Sequence, residues 1–325
     1  MKKTIAILIC VVMLSCKQEK KQQIVKLEGF VFGTTYHITY VGLEENNHEK
    51  SIDSLFHLIN KSLSTYMPTS DISNINNGNS SVIVDAFFTE VFKKSKEIHH
   101  KTNGFFDPTV GNLVNAWGFG PKEKSPKIDS STVQEMMQFV GFDKVQLEHK
   151  KVKKEHSKIF LDFNSIAKGY GVDVVGRFLE GKNISNYLVE IGGEIRARGK
   201  NNKNKFWSVA IEKPNTDGSQ SFEKIITLEN QSMATSGNYR KFRIAKNGKK
   251  YVHTINPKTG FATESNLLSA SVISSLDCAD VDAYATAFMA MGFEEAKKNI
   301  KKNTYLKVYF IYVDDKGLIQ HYASK

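Results

Sequence analysis

The sequence predicts an α+β fold, a single compact domain of mixed sheets with packed helices, and two observations carry that prediction. Strand-like runs and separate helical runs follow one another without a strict βαβ alternation, which favours segregated layers over a parallel core. No stretch between them is long enough to part independent domains, so residues 24–325 read as one unit. The 325 residues are 40% hydrophobic and 24% charged, which is enough for a sizeable core.

Residues 24–41 alternate like a strand pair interrupted at Gly33. A glycine there fits a β-bulge or close backbone approach by something bulky. Residues 51–63 place Ile52, Leu55, Phe56, Ile59 and Leu63 on one helical face. Residues 85–101 repeat that spacing with Phe88, Val91, Phe92, Ser95 and Ile98, and Asn103-Gly104 supplies the stop. Residues 121–131 hold two of the six prolines and several lysines, and read as a surface loop. A helix is expected from near Ile166 to Gly181, followed by strands at 187–191, 206–212, 223–228, 239–245, 250–255 and 267–274. A helix over 279–291 and a strand at 305–313 complete the pattern, with no internal repeat or low-complexity segment.

Lys2 and Lys3 precede an apolar run from Thr4 to Leu14, too short to cross a membrane and the right length for a signal-peptide core. Met13-Leu14-Ser15-Cys16 resembles a bacterial lipobox, although Met13 stands where Leu is usual. Residues 1–15 are then a lipoprotein signal peptide, Cys16 the lipidated N-terminus and residues 16–23 a solvated tether. The other reading is a plain secretory signal. The expectation is an exported bacterial lipoprotein, anchored to a membrane and facing the periplasm or cell exterior. Cys278 is then the sole remaining thiol, and no internal disulfide forms.

The formal charge is +11, from 45 Lys+Arg and 34 Asp+Glu, but the basic residues stand singly or in pairs among acids. That distribution counts against a dedicated nucleic-acid binder and suits an anionic small substrate or a surface near anionic lipid. The P-loop and G-x-G-x-x-G nucleotide fingerprints are absent, as are H-E-x-x-H and C-x-x-C. The adjacent His99 and His100 read as surface residues, because helical neighbours point about 100° apart and share an ion poorly.

Several segments combine glycines with polar residues beyond what packing requires. Phe32 to Tyr36 carries Gly33, and Ser64 to Pro68, with Asp71, Ser73 and Asn76, reads as a helix end turning into a polar loop around Tyr66. Gly104 to Gly120 sets Phe105, Phe106, Trp117 and Phe119 around Asp107, either a wall for a planar ring or a loop plugged by Trp117. In Leu161 to Gly171, Asp162 ends a strand and Lys168 enters the first turn of a helix, where the dipole disfavours a cation unless an anion is near. Asp282 and Thr286 lie four apart on one helical face, hard oxygens suited to Mg²⁺. Asp280 fits an N-cap role better than Asp282. Thr235 to Arg240 and Tyr251 to Gly260 complete the set, with His253 at a strand end, placed for proton transfer.

In their joint order these segments resemble the ApbE-type flavin transferases, the FAD:protein FMN transferase family, across roughly residues 29–313. The resemblance rests on Phe105, Phe106, Asp107 and Trp117 to Gly120, on Asp162 to Gly169, and on Gly192-Gly193. It extends through Thr235 to Gly237, His253 to Gly260 and Asp282 to Thr286. It implies an ApbE-like, T-fold-related catalytic domain over 24–325. It further implies an enzyme that splits FAD at its pyrophosphate, moves FMN onto a threonine of an exported or membrane redox protein, and releases AMP. Mg²⁺ would be held by Asp282, Thr286 and the Ser165 carbonyl, with the Ala285 backbone nearby. FAD would contact Phe32, Tyr66, Phe105, Phe106, Asp107, Asp162, Lys168 and the Ile255 backbone, and His253 would deprotonate the acceptor. Phe32 departs from a common Met, and Ala285 from an Asp carried by some members, which leaves the metal one carboxylate short. A Mg²⁺-dependent FAD pyrophosphatase and a non-enzymatic flavin-binding lipoprotein are the competing readings.

Overall fold

Two left-handed residues open the fold: Phe32 (φ 51°) and Gly33 (φ 76°) turn strand β1 (Gln23–Val31) tightly into β2 (Thr34–Gly42). Positive φ at both central positions is the hairpin geometry that matches strand twist. Gly33 is therefore a turn residue, not a bulge, and a Cβ there would meet nothing within 4 Å. The computed structural model describes residues 23–43, 47–121, 128–213, 221–238, 242–244, 250–262 and 265–324. The expected signal peptide, Cys16 and most of the tether lie outside the described residues, as does 122–127 of the expected surface loop.

Helices α1 (Glu49–Leu63), α2 (Asp71–Asn76) and α3 (Ala86–Lys101) follow. Asp85 caps α3 by accepting from the Phe88 amide at 2.8 Å, and Ser70 caps α2 through the Ser73 amide. Next come α4 (Gly111–Ala116), α5 (Ser130–Met137), and the hairpin of β3 (Val145–Glu148) with β4 (Lys151–Lys154). Helix α6 (Ala167–Gly181) leads into β5 (Tyr187–Ile191), β6 (Glu194–Arg198), β7 (Trp207–Glu212), β8 (Phe222–Leu228) and β9 (Ser232–Gly237). The chain closes through β10 (Phe242–Ile244), β11 (Lys250–Val252), β12 (Leu267–Ser274), α7 (Cys278–Met291), α8 (Phe293–Lys302), β13 (Lys307–Val313) and β14 (Ile319–Ala323).

Eight strands form one antiparallel sheet in the order β1-β2-β5-β6-β9-β12-β13-β14. The period of two sorts their side chains. On one face Ile38, Val189, Ala234, Val272 and Phe310 join α1, α3, α6 and α7 in the main core. On the other, Ile195, Ala197, Met233 and Ile273 are covered by Trp207, Ile211 and Leu228 of the β7–β8 hairpin. Each large apolar side chain fully buried this way contributes about 1.5–3 kcal/mol. This is a mixed α+β single domain.

The helix-facing residues of β6 are Glu194 and Arg196, both buried. Arg196 reaches Asp173 of α6 at 2.9 Å and Asp277 at 2.8 Å. Asp173 in turn accepts the Cys278 and Ala279 amides at 2.9 and 2.8 Å, which caps α7 from a neighbouring helix. Asp280, expected as the cap, instead pairs with Lys94 at 3.0 Å. Helix α7 is buried almost all round, and Cys278 is a buried free thiol.

Other expectations are corrected. Asp162 does not end a strand: the preceding segment makes just an isolated bridge, Phe160 to Val110. The strand expected at 250–255 stops at Val252, and Ile255 makes a single bridge to Ala262. Of the strand expected at 239–245, only 242–244 lies within the described residues. The polar loop after Tyr66 contains α2, and α5 begins inside the expected 121–131 loop. His99 is not a surface residue, since it is buried with Nδ1 2.8 Å from the Phe106 carbonyl; His100 is exposed.

Candidate active site

Helices α6 and α7 meet where glycine permits it. A Cβ on Gly169 would lie 2.4 Å from the Cys278 carbonyl oxygen, so only a glycine allows the two backbones this close. The contact lets the Gly169 amide donate to Asp282 Oδ2 at 3.1 Å. One residue earlier, Lys168 Nζ lies 2.5 Å from Glu194 Oε1. The sequence asked for an anion beside Lys168, and the fold supplies Glu194.

These three groups form one buried electrostatic unit. Burial would lower the Lys168 ammonium, but the Glu194 and Asp282 carboxylates overcome it and hold it above its ordinary range. Burial, reinforced by the Glu194 charge, pushes Asp282 up to about 8. With both carboxylates ionised, two stand against one ammonium and one negative charge is left over, and Glu194 Oε2 is buried with no hydrogen-bond partner among the described residues. Such a deficit is what a bound cation relieves. The nearby donors are hard oxygens: Thr286, one turn beyond Asp282, sets its hydroxyl 3.4 Å from that of Ser236 on β9. Ser165 lies in the turn before α6, and the methyl side chain of Ala285 is buried in the core. The donor set therefore fits Mg²⁺. Among the described residues no three His, Cys, Asp or Glu side chains gather as a metal cluster.

A second wall is built from three loops. Asn76 pairs with Leu161 in both directions at 2.8 Å, and the Asp162 amide donates to the Pro108 carbonyl at 2.8 Å. Burial raises the Asp162 carboxyl, against the Asn164 amide that donates to it. Tyr66, 60% exposed, has its hydroxyl raised by partial burial and by the Asp162 charge. Asn164 ties this loop to Thr65 at 3.2 Å. Phe32 packs edge-on against Phe56 at 5.6 Å and its ring borders Gly171 of α6. Phe105 is partly buried, with Lys258 Nζ 5.9 Å above its ring.

The remaining expected contacts are committed inwardly. The Phe106 ring is 1% exposed, and the Asp107 carboxylate accepts from the Thr109 amide and hydroxyl and from the Phe142 amide. Trp117 is a plug: it is buried and donates from Nε1 to the Gly260 carbonyl at 3.0 Å. Ile255 is buried beside it in the same cluster. His253 follows β11, half-buried, with its ring 6.5 Å from that of Phe119. The next residue, Thr254, donates to Asn238 at 2.9 Å, which pins this strand end to the Thr235–Gly237 segment. Glu194 is the site residue the motif reading missed; its signal was a carboxylate directly after the Gly192-Gly193 turn.

A model of the ApbE family matches residues 32–310. The chain belongs to the ApbE family. Among curated ApbE-like proteins, the FAD:protein FMN transferase of Haemophilus influenzae is 38% identical, covering 100% of this chain and 97% of that protein. That of Vibrio cholerae is 35% identical, covering 94% and 92%. The solved flavin transferase ApbE from Vibrio cholerae matches with a TM-score of 0.84 at 34% identity, covering 94% of this chain and 98% of the other. The Pseudomonas stutzeri flavinyl transferase ApbE in its apo form gives 0.82 at 28% identity, covering 94% and 95%.

Proposed function

We propose that this ApbE-family chain is an FAD:protein FMN transferase that works at the Lys168–Glu194–Asp282 unit, dependent on Mg²⁺ and releasing AMP. The enzyme class follows from family membership and from the shared name of full-length relatives. The observation that carries the mechanism is the buried Glu194 carboxylate oxygen beside Lys168 that has no partner among the described residues. Asp282, Thr286 and the Ser165 carbonyl would hold the ion, near the Ala285 backbone. Bound Mg²⁺ would neutralise charge on the pyrophosphate as a Lewis acid.

The residues of the chain do the rest. Lys168, kept protonated by Glu194, faces the pyrophosphate as a fixed cation, which suits a displacement that needs positioning and charge neutralisation. Phe32, Tyr66 and Phe105 offer apolar surface to the flavin, beside Asp162; Phe106, Asp107 and Ile255 act through the backbone they support. His253 takes the proton from a threonine hydroxyl of the acceptor. The threonine oxygen then bonds to the FMN phosphorus, the anhydride P–O bond breaks, and AMP leaves with the bridging oxygen.

The acceptor is a membrane or exported redox subunit. The chain reaches it as a lipoprotein, anchored at Cys16 and facing the periplasm or cell exterior, so Cys16→Ser should move the protein from the membrane to the soluble fraction. Release of AMP that requires both Mg²⁺ and an acceptor supports transfer. Equal release without acceptor indicates a pyrophosphatase, and bound FAD without products a carrier.

A further inference from the structure

We propose that Glu194 supplies the second negative charge of the divalent-cation site, through the buried oxygen that Lys168 leaves free. The proposal rests on the reading of Asp282 as a metal ligand and extends it to a residue outside the motif set.

The geometry singles out Glu194. Its side chain is 2% exposed, Oε1 is taken by Lys168 Nζ at 2.5 Å, and Oε2 is buried without a partner among the described residues. A buried carboxylate oxygen without a donor is destabilising, so it persists where a ligand compensates it. Its placement is rigidly set. Gly192 (φ 62°) and Gly193 (φ 103°) make a two-residue turn, and Glu190 Oε1 accepts the Gly193 amide at 2.6 Å. The Gly192 amide donates to the Thr35 carbonyl at 3.0 Å, which ties the turn to β2. The first residue of β6 therefore points at the α6–α7 junction, where Lys168 and Asp282 already meet through Gly169. The methyl group of Ala285 offers the metal no carboxylate, and Glu194 brings one from the opposite layer of the fold.

Electrostatics gives the assignment a sign that a merely structural role would not show. With Lys168 present and both carboxylates ionised, the unit carries one net negative charge. Lys168→Met raises that to two, Glu194→Gln lowers it to none, and the double variant restores one. Binding of Mn²⁺ alone, without FAD, is measured by electron paramagnetic resonance on the full chain. The expected order of affinity is Lys168→Met tightest, wild type and the double variant similar, and Glu194→Gln weakest, by about 10-fold or more. Should Glu194→Gln fail to fold, as its circular dichroism would reveal, the step from Lys168→Met to the double variant reads the same contribution. Equal Mn²⁺ affinity across that step, or wild-type affinity in folded Glu194→Gln, overturns the proposal. Asp282→Asn is measured alongside: its loss of Mn²⁺ with Glu194→Gln unaffected removes Glu194 only, whereas normal binding in both removes the metal site itself.

Discussion

The backbone amide of Gly169 donates to the Asp282 carboxylate at 3.1 Å, joining two motifs that lie 113 residues apart in sequence. That bond exists because Gly169 has no side chain to hold α7 away from α6. Gly169→Ala should therefore cost about 1–3 kcal/mol of stability through overpacking and more in activity, since it displaces Asp282 and Lys168 together. Chemical unfolding and turnover of the purified variant check both. Wild-type turnover in Gly169→Ala would detach this junction from the chemistry.

Asp282→Asn keeps an oxygen to accept the Gly169 amide while removing the charge. The fold should survive, and FMN transfer should fall by about 10²-fold or more, with Mg²⁺ no longer stimulating the residue of activity. A Mg²⁺ titration of transfer rate makes the comparison.

His253→Ala removes a half-buried ring without opening the main core. FAD binding should stay within a few-fold of wild type while transfer slows by about 10²–10⁴-fold, the range for loss of a general base. Fluorescence titration of FAD and single-turnover transfer separate the two quantities. Unchanged transfer would mean that another group, or none, takes the proton.

Asp277 contributes its own pH dependence to the α6–α7 scaffold. Burial would raise its carboxyl, but Lys94 and Arg196 outweigh that and hold it below the ordinary 3.8. A depressed carboxyl stabilises the fold above its unfolded pKa, and that stabilisation is lost as pH falls through the folded value. Asp277→Asn should cost about 1–3 kcal/mol at pH 7, and the gap to wild type should narrow as pH drops below about 4. Urea unfolding at the two pH values measures it; a gap that widens on acidification would contradict the assignment.

What the sequence made legible was whatever its own periodicity encodes. Helices α1 and α3 show their apolar faces, and β5 and β12 fall at the expected residues. Strand β6 escaped because its inward residues are Glu194 and Arg196, whose partners Lys168 and Asp173 belong to another segment, so no local pattern marks them as buried. Strand β9 escaped because Met233 and Ala234 are its apolar residues, one in each core, beside Ser232, Thr235, Ser236 and Gly237, too few to show an alternation. For the same reason Asp282 and Thr286 could be paired from helical spacing alone, whereas Glu194 required the sheet that carries it across to them.

The most direct test of the proposed function is to incubate the protein with FAD, Mg²⁺ and a redox-subunit domain bearing a candidate threonine, then weigh the acceptor and identify the released nucleotide. The expected result is an acceptor mass gain equal to one FMN, with AMP released in equal amount and neither change once Mg²⁺ is chelated. FMN and AMP both free in solution with every acceptor unmodified, or FAD bound and intact throughout, would contradict it.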